Sequence, residues 1–270
     1  MIPRNFLQNG LIGGVAVLAG GAHFVPAAQE HGPVTAAAVS FVTGTPTPSS
    51  AVAASPSSQV LASVTSALGA FQSAVRPLSH ARALEDAFRG YFAFKAEHPE
   101  KVRKPYLYFV DYGLPSSTPR GYVFDMNTLK ILDGPFMVAH GRGSAGSKDG
   151  VPTRFSNAPG SLATSLGLYV AEETYRFSGK AGGRKYSSVG LRLAGVSGDY
   201  NDNARERRVV AHGAPYVTPK KAGRSEGCPA MEQSRAKRLL PTLANGGMVF
   251  LFAPESEWME QDPWIAASAE

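Results

Sequence analysis

The chain has 270 residues, 43% of them hydrophobic, with a formal charge of +6 and one cysteine. That length holds one sizeable domain or two small ones, and the lone cysteine excludes an internal disulfide. The basic balance suggests an acidic partner, but no recognition helix with interleaved aromatics stands out, which argues against nucleic acid.

In chain order, Arg4 followed by an apolar, glycine-rich run over 11–22 and by Val25-Pro26-Ala27-Ala28 reads as a secretion signal over residues 1–27. The run is shorter than the ~20 residues a membrane span needs, so no stable span is expected after cleavage; an uncleaved anchor is the alternative. Either places the domain outside the cytoplasm. Residues 28–78 are rich in Ala, Ser, Thr, Val and Pro with almost no charge, as in Thr45-Pro46-Thr47-Pro48. Such a segment buries too little apolar surface to offset its ordering entropy and reads as a linker. Within it, residues 60–75 carry enough Leu, Val and Phe for a short helix that packs on the domain.

The folded domain is expected over 79–270. Leu84, Ala87, Phe88, Tyr91, Phe92 and Lys95 recur at helical spacing, predicting a helix over 80–97 closed by Pro99. Strands are predicted over 106–110, 120–124, 130–139, 166–171, 189–193, 207–212 and 248–253, from β-branched and aromatic runs bounded by turn residues. One helix is expected over 231–240, broken at Pro241. Many short strands with Gly- and Pro-rich turns indicate a mainly β sandwich or barrel with a few short helices. Asn201-Asp202-Asn203 forms a turn before the strand ending at His212; no ligand spacing supports calcium there.

Cys228 sits in Gly223-Arg224-Ser225-Glu226-Gly227-Cys228-Pro229-Ala230, sixteen residues after His212-Gly213. A free thiol titrates near pH 8.5 and only its thiolate is a good nucleophile, so a neighbouring imidazole that takes the proton would activate it. Glycines beside both residues permit close backbone approach, and the amides of Gly227 and Cys228 are candidate oxyanion donors. The bland alternative is an inert buried thiol and a structural histidine. Gly141, Gly143 and Gly146 also satisfy a dinucleotide-loop spacing, but residues 147–152 cannot open the helix such a site requires.

His-Gly followed at this distance by Ser-x-Gly-Cys resembles the L,D-transpeptidase catalytic-domain family (YkuD-like), in its divergent murein-transpeptidase branch. Further stretches share the pattern: Val138-Ala139-His140-Gly141-Arg142-Gly143-Ser144, Phe155-Ser156-Asn157, Ser165-Leu166-Gly167-Leu168-Tyr169 and Tyr200-Asn201-Asp202-Asn203-Ala204. The resemblance implies a mixed β-sandwich domain, periplasmic or wall-associated, working without cofactor or metal on peptidoglycan stem peptides and glycan strands. It implies Cys228 as nucleophile, His212 as base, the Gly213 carbonyl orienting the imidazole, and Gly227 beside the thiol. Arg224 and Ser225 would line the donor site, and His140 lies either at the cleft or in a structural turn.

Where many members carry a second histidine, this chain has Glu226, which would orient a donor amide or repel a stem-peptide carboxylate. The implied reaction is stem-peptide cross-linking through a cysteine thioester, of the 3-3 or 1-3 type. Water as acceptor would give an L,D-carboxypeptidase, and a D-amino acid would give exchange. Two other classes stand beside it: a non-catalytic wall-binding module, and a zinc hydrolase using Cys228, His140 and His212. Arg205, Arg207, Arg208, Lys220, Lys221, Arg235, Lys237 and Arg238 flank the motif and read as a solvated face suited to anionic wall polymer.

Overall fold

The computed structural model describes residues 55–147 and 150–266. The expected secretion signal and the first part of the linker lie outside the described residues. Among those described, no helix is long and apolar enough to cross a membrane.

The first helix, α1 (Pro56–Phe71), starts behind Ser55, whose hydroxyl accepts the Ser58 amide at 3.2 Å, with Pro56 in the first turn. It buries Val64, Ala67 and Phe71. The Phe71 ring meets Phe88 at 5.4 Å and Phe124 at 4.6 Å. The Ala/Ser/Pro-rich stretch therefore contributes a helix to the core. Helix α2 (Ala83–Glu97) follows and buries Leu84, Ala87, Phe88, Tyr91 and Phe94.

Among the described residues, twelve strands come next. They are β1 (Tyr106–Asp111), β2 (Gly121–Asp125), β3 (Lys130–Phe136), β4 (His140–Gly141), β5 (Gly167–Ala181), β6 (Arg184–Gly195), β7 (Val210–Gly213), β8 (Val217–Thr218), β9 (Lys221–Ala222), β10 (Arg224–Ser225), β11 (Ala230–Met231) and β12 (Met248–Phe252). Helix α3 (Gln233–Leu243) lies between β11 and β12, and α4 (Ser256–Gln261) follows β12. Eight strands form one mixed sheet in the order β11-β7-β6-β5-β12-β1-β2-β3, and β4 pairs with β10 in a small separate sheet. The expected mainly β fold with a few short helices is the one observed.

Continuous apolar runs form the middle of the sheet. Leu107, Phe109 and Val110 of β1 and all five residues of β12 are buried, and the two strands run parallel. Helix α2 packs on β12, β1 and β5, and α3 packs on β6 and β7. Burial on both faces is why these strands show no alternation in the sequence.

Four elements differ from expectation. Helix α3 runs through Pro241 to Leu243 rather than breaking there. In the last turn the proline forfeits one amide, and Lys104 Nζ donates to the Pro241 and Thr242 carbonyls at 3.3 and 3.1 Å. The expected strand over 207–212 is extended only from Val210, because Arg208 takes a left-handed φ of 56° and turns the chain. Most consequentially, β5 and β6 are long strands of one hairpin, whereas expectation had two short, unconnected ones. Gly182 and Gly183, with φ of 55° and 77°, form the two-residue turn between Ala181 and Arg184.

Asn201 locks the root of this hairpin. Its side chain accepts the Ser197 amide at 2.9 Å and donates to the Leu166 and Leu168 carbonyls at 3.0 and 2.9 Å. Asn201, in the expected turn at 201–203, is thus a buried brace between the chain entering β5 and the chain leaving β6.

Candidate active site

The strand pairing that brings the sequence motif together is β11 against β7. They run parallel with Ala230 opposite His212 and Met231 opposite Gly213. Cys228 therefore lies beside the start of β7, two residues before the partner of the imidazole. Its Sγ is 3.8 Å from the Arg208 carbonyl.

The loop 225–228 is tied internally. Ser225 Oγ donates to the Cys228 carbonyl at 2.6 Å and accepts the Gly227 amide at 3.2 Å. Gly227 has a φ of 119°, and a Cβ there would lie 2.9 Å from the Ala163 carbonyl, so only glycine fits. Ser225 is buried and holds the shape of the loop, and one of the two expected oxyanion donors, the Gly227 amide, is already bonded.

His212 is 3% exposed. Its Nδ1 lies 3.1 Å from the Gly213 carbonyl. A carbonyl only accepts, so Nδ1 carries the proton and Nε2 presents its lone pair. The imidazole face is covered by Phe177, whose ring is stacked at 4.1 Å and 14°. Phe177 reaches it from β5 across β6, and Gly190 is what allows this. Gly190 pairs with both His212 and Tyr175, and a Cβ there would lie 2.7 Å from the Tyr175 ring and 3.1 Å from Phe177. Burial lowers the His212 pKa to about 4, against the opposing effect of the Gly213 bond.

Cys228 is half-buried, and burial pushes its thiol up to about 11. The Val210 amide and the Arg207 guanidinium act in the other direction, and Glu226 adds to the rise. Between about pH 5 and 10 the resting pair is thus a neutral thiol and a neutral imidazole, not a thiolate–imidazolium pair. A raised thiol pKa leaves a thiolate fraction that grows tenfold per pH unit up to that pKa. Carboxamidomethylation of Cys228 by iodoacetamide is therefore expected to accelerate about tenfold per unit from pH 7 to 10 with no neutral plateau. A rate flat across pH 6–9, measured by intact mass, would overturn the neutral-pair description.

The matching family model covers residues 76–252 and is described as the L,D-transpeptidase catalytic domain, YkuD_2. This chain belongs to the L,D-transpeptidase catalytic-domain family. Among solved structures, similarity is found to an L,D-transpeptidase from Mycobacterium smegmatis at 14% identity, covering 55% of this chain and 59% of that one, with a TM-score of 0.33. An L,D-transpeptidase from Mycobacterium tuberculosis H37Rv gives 15% identity, 55% and 57% coverage and a TM-score of 0.30. This chain thus spans less than two thirds of either. No curated protein matches it.

Within this L,D-transpeptidase domain, His140 is fully buried on β4, in parallel register with Arg224 of β10. Its Nδ1 is 2.9 Å from Arg120 Nη2. Guanidinium only donates, so Nδ1 accepts and the proton sits on Nε2, a buried atom with no partner among the described residues. Burial, Arg120 and Arg224 hold the His140 pKa down at about 3. His140 is thereby a neutral donor over the working pH range and no base. It also has no free lone pair for zinc, and no group of three or more His, Cys, Asp or Glu among the described residues is arranged to hold a metal.

Arg120 itself is buried and donates to the Val138 carbonyl from Nε and Nη2 at 3.1 and 2.9 Å, and to the Leu114 carbonyl at 2.5 Å. Glu226 is exposed and faces Arg142 at 3.5 Å. Arg224 is exposed, with Nη1 3.5 Å from the Ala145 carbonyl.

Three residues beside the site carried no site assignment from sequence. Arg120 has no motif signal, since only its burial distinguishes it. Phe177 was legible in principle, because Gly182-Gly183 between alternating residues signals a hairpin. Arg207 was read as part of a solvated face, yet it packs against the cysteine loop.

Proposed function

We propose that this chain is an exported peptidoglycan L,D-transpeptidase working through a Cys228 thioester, in the periplasm or against the wall. The parallel pairing of β11 with β7 carries this reading, because it sets the chain's one thiol two residues before the strand partner of an imidazole whose Nε2 is free to accept.

In the first half-reaction His212 Nε2 takes the thiol proton as Cys228 Sγ attacks the carbonyl of an L-residue in a donor stem peptide. The neutral resting pair makes this general-base attack rather than attack by a standing thiolate. The developing oxyanion is met by the Cys228 amide, since the Gly227 amide is bonded to Ser225. His212 returns the proton to the leaving amine of the D-residue, and the thioester remains. An acceptor amine then attacks the thioester, His212 takes its proton, and the thiol is restored. Water in that second step gives an L,D-carboxypeptidase, and a D-amino acid gives exchange. The product link is 3-3 or 1-3 according to which L–D bond the donor cleft holds.

The test uses the full chain with disaccharide-tetrapeptide substrates and intact sacculi, with products resolved by chromatography and tandem mass spectrometry. A new dimer is expected, its fragments assigning the link. Absence of dimer, trimmed monomer and exchange product alike would leave the non-catalytic wall-binding reading in its place.

A further inference from the structure

Arg207 is held in an unusual position for a surface arginine. It lies in the turn that precedes β7, where its amide bonds to the Asn203 carbonyl at 2.9 Å and the next residue, Arg208, takes the left-handed φ of 56°. A bulky residue in that region is strained, and such strain concentrates where a chain is held for a purpose. Here it aims the Arg208 carbonyl at Cys228 Sγ and folds the Arg207 side chain back toward the cysteine loop.

The guanidinium is fixed on one side only. Nη2 donates to the Ala163 carbonyl at 2.6 Å and to Ser161 Oγ at 3.2 Å. The same Nη2 lies 3.5 Å from where a Gly227 Cβ would be, so the cation lies close to the residue before the cysteine. Nη1 is buried and has no acceptor among the described residues. No carboxylate among the described residues forms an ion pair with Arg207: Arg205, two residues before it, pairs with Glu172 at 2.5 Å, and Glu226 faces Arg142 instead. A buried donor on a cation without a counter-ion is costly unless a ligand completes it.

We propose that Arg207 is an anion subsite of the thiol cleft and takes the carboxylate of the residue that leaves. This rests on the transpeptidase reading for the identity of the ligand, but not for the existence of the site. At a stem-peptide C-terminus the leaving group of an L–D cleavage is a free D-amino acid. Its α-carboxylate stands on the carbon next to the nitrogen being expelled. A guanidinium one residue from the nucleophile is placed to hold that carboxylate and so fix which bond meets Sγ.

Two haloacetates of nearly the same shape test the site without requiring turnover. Iodoacetate carries a carboxylate and iodoacetamide does not, and both alkylate Cys228 with loss of iodide. Loss of Arg207 alters the thiol pKa equally for both reagents, so the ratio of their rates isolates anion binding. Replacing Arg207 by Met is expected to lower the iodoacetate-to-iodoacetamide rate ratio about tenfold, as loss of a near cation in a partly desolvated cleft would. R207K is expected to keep most of it. An unchanged ratio in R207M overturns the site.

The second arm compares a tetrapeptide donor ending in a free carboxylate with its C-terminal amide. Wild type is expected to favour the acid about tenfold in kcat/KM, and R207M to turn over both at the amide's rate. Equal losses on acid and amide would overturn the carboxylate assignment. A shifted haloacetate ratio in a protein that turns over neither donor would instead defeat the transpeptidase reading while leaving the anion site standing.

Discussion

Cys228→Ala is expected to abolish dimer formation, a fall on the order of 10⁴-fold or more, while the fold persists. The thiol is the only sulfur nucleophile in the sequence, and no other described residue substitutes for it at the start of β7. Its side chain makes only the long contact to the Arg208 carbonyl and accepts from the Val210 amide among the described residues, so its removal is expected to change stability by less than about 1 kcal/mol. His212→Gln separates the two roles of the pair. It is expected to lower turnover roughly 10²–10⁴-fold, the usual yield of a positioned base. Alkylation of Cys228 at neutral pH should change little in that variant, because the resting thiol bonds to a carbonyl and not to the imidazole. An H212Q protein that keeps wild-type turnover would remove His212 from the mechanism.

Arg120→Met is expected to produce the largest loss of stability of any single substitution considered. The guanidinium is fully buried and serves the Leu114 and Val138 carbonyls and His140 Nδ1. Its pKa is lowered by burial only to about 10, so it remains charged, with Asp111, Tyr108 and Tyr112 in its field. Methionine fills a similar length but leaves up to three buried acceptors unpaired, at about 1–3 kcal/mol each. A net loss of roughly 3–5 kcal/mol follows, or about 10 °C in Tm for a domain of this size. Lysine restores the charge without the planar fork and should rescue only a minor part. The measurement is urea unfolding followed by Trp fluorescence, with the exposed Arg238→Ala as control; equal midpoints for R120M and wild type would refute the account.

The strands of β1 and β12, the glycine-flanked cysteine and the histidine sixteen residues before it were legible in the sequence, because burial and turn chemistry write themselves as composition. Helix α1 was legible as helical from its apolar residues, though its low-complexity surroundings argued for a linker. The β5–β6 hairpin is not legible in the sequence, since Glu172, Glu173, Arg176, Ser178 and Lys180 make the strand look like a polar loop; over that stretch exposed residues alternate with ones that are only half-buried. Arg207 and Arg120 could not be told apart from surface arginines, because pairing and burial are properties of the fold. His140 was left open between cleft and turn, and only the donor-only nature of Arg120 decides its tautomer.

The position of β12 bears on how the domain comes into being. It is the latest of the described strands in the chain, yet it lies between β5 and β1 and is the strand through which β1–β3 join the rest of the eight-stranded sheet; outside that sheet an Ala139–Ala230 bridge also ties the chain after β3 to β11. Without residues 248–252 the edges of β1 and β5 have no partner between them in the sheet. Contacts of such long sequence separation are slow to close, and unpaired edges invite intermolecular pairing meanwhile. Because synthesis runs from the N-terminus, Cys228 emerges before the strand that joins β1 to β5. Maturation of the site would then be timed by a hydrophobic segment that contributes no chemistry to it.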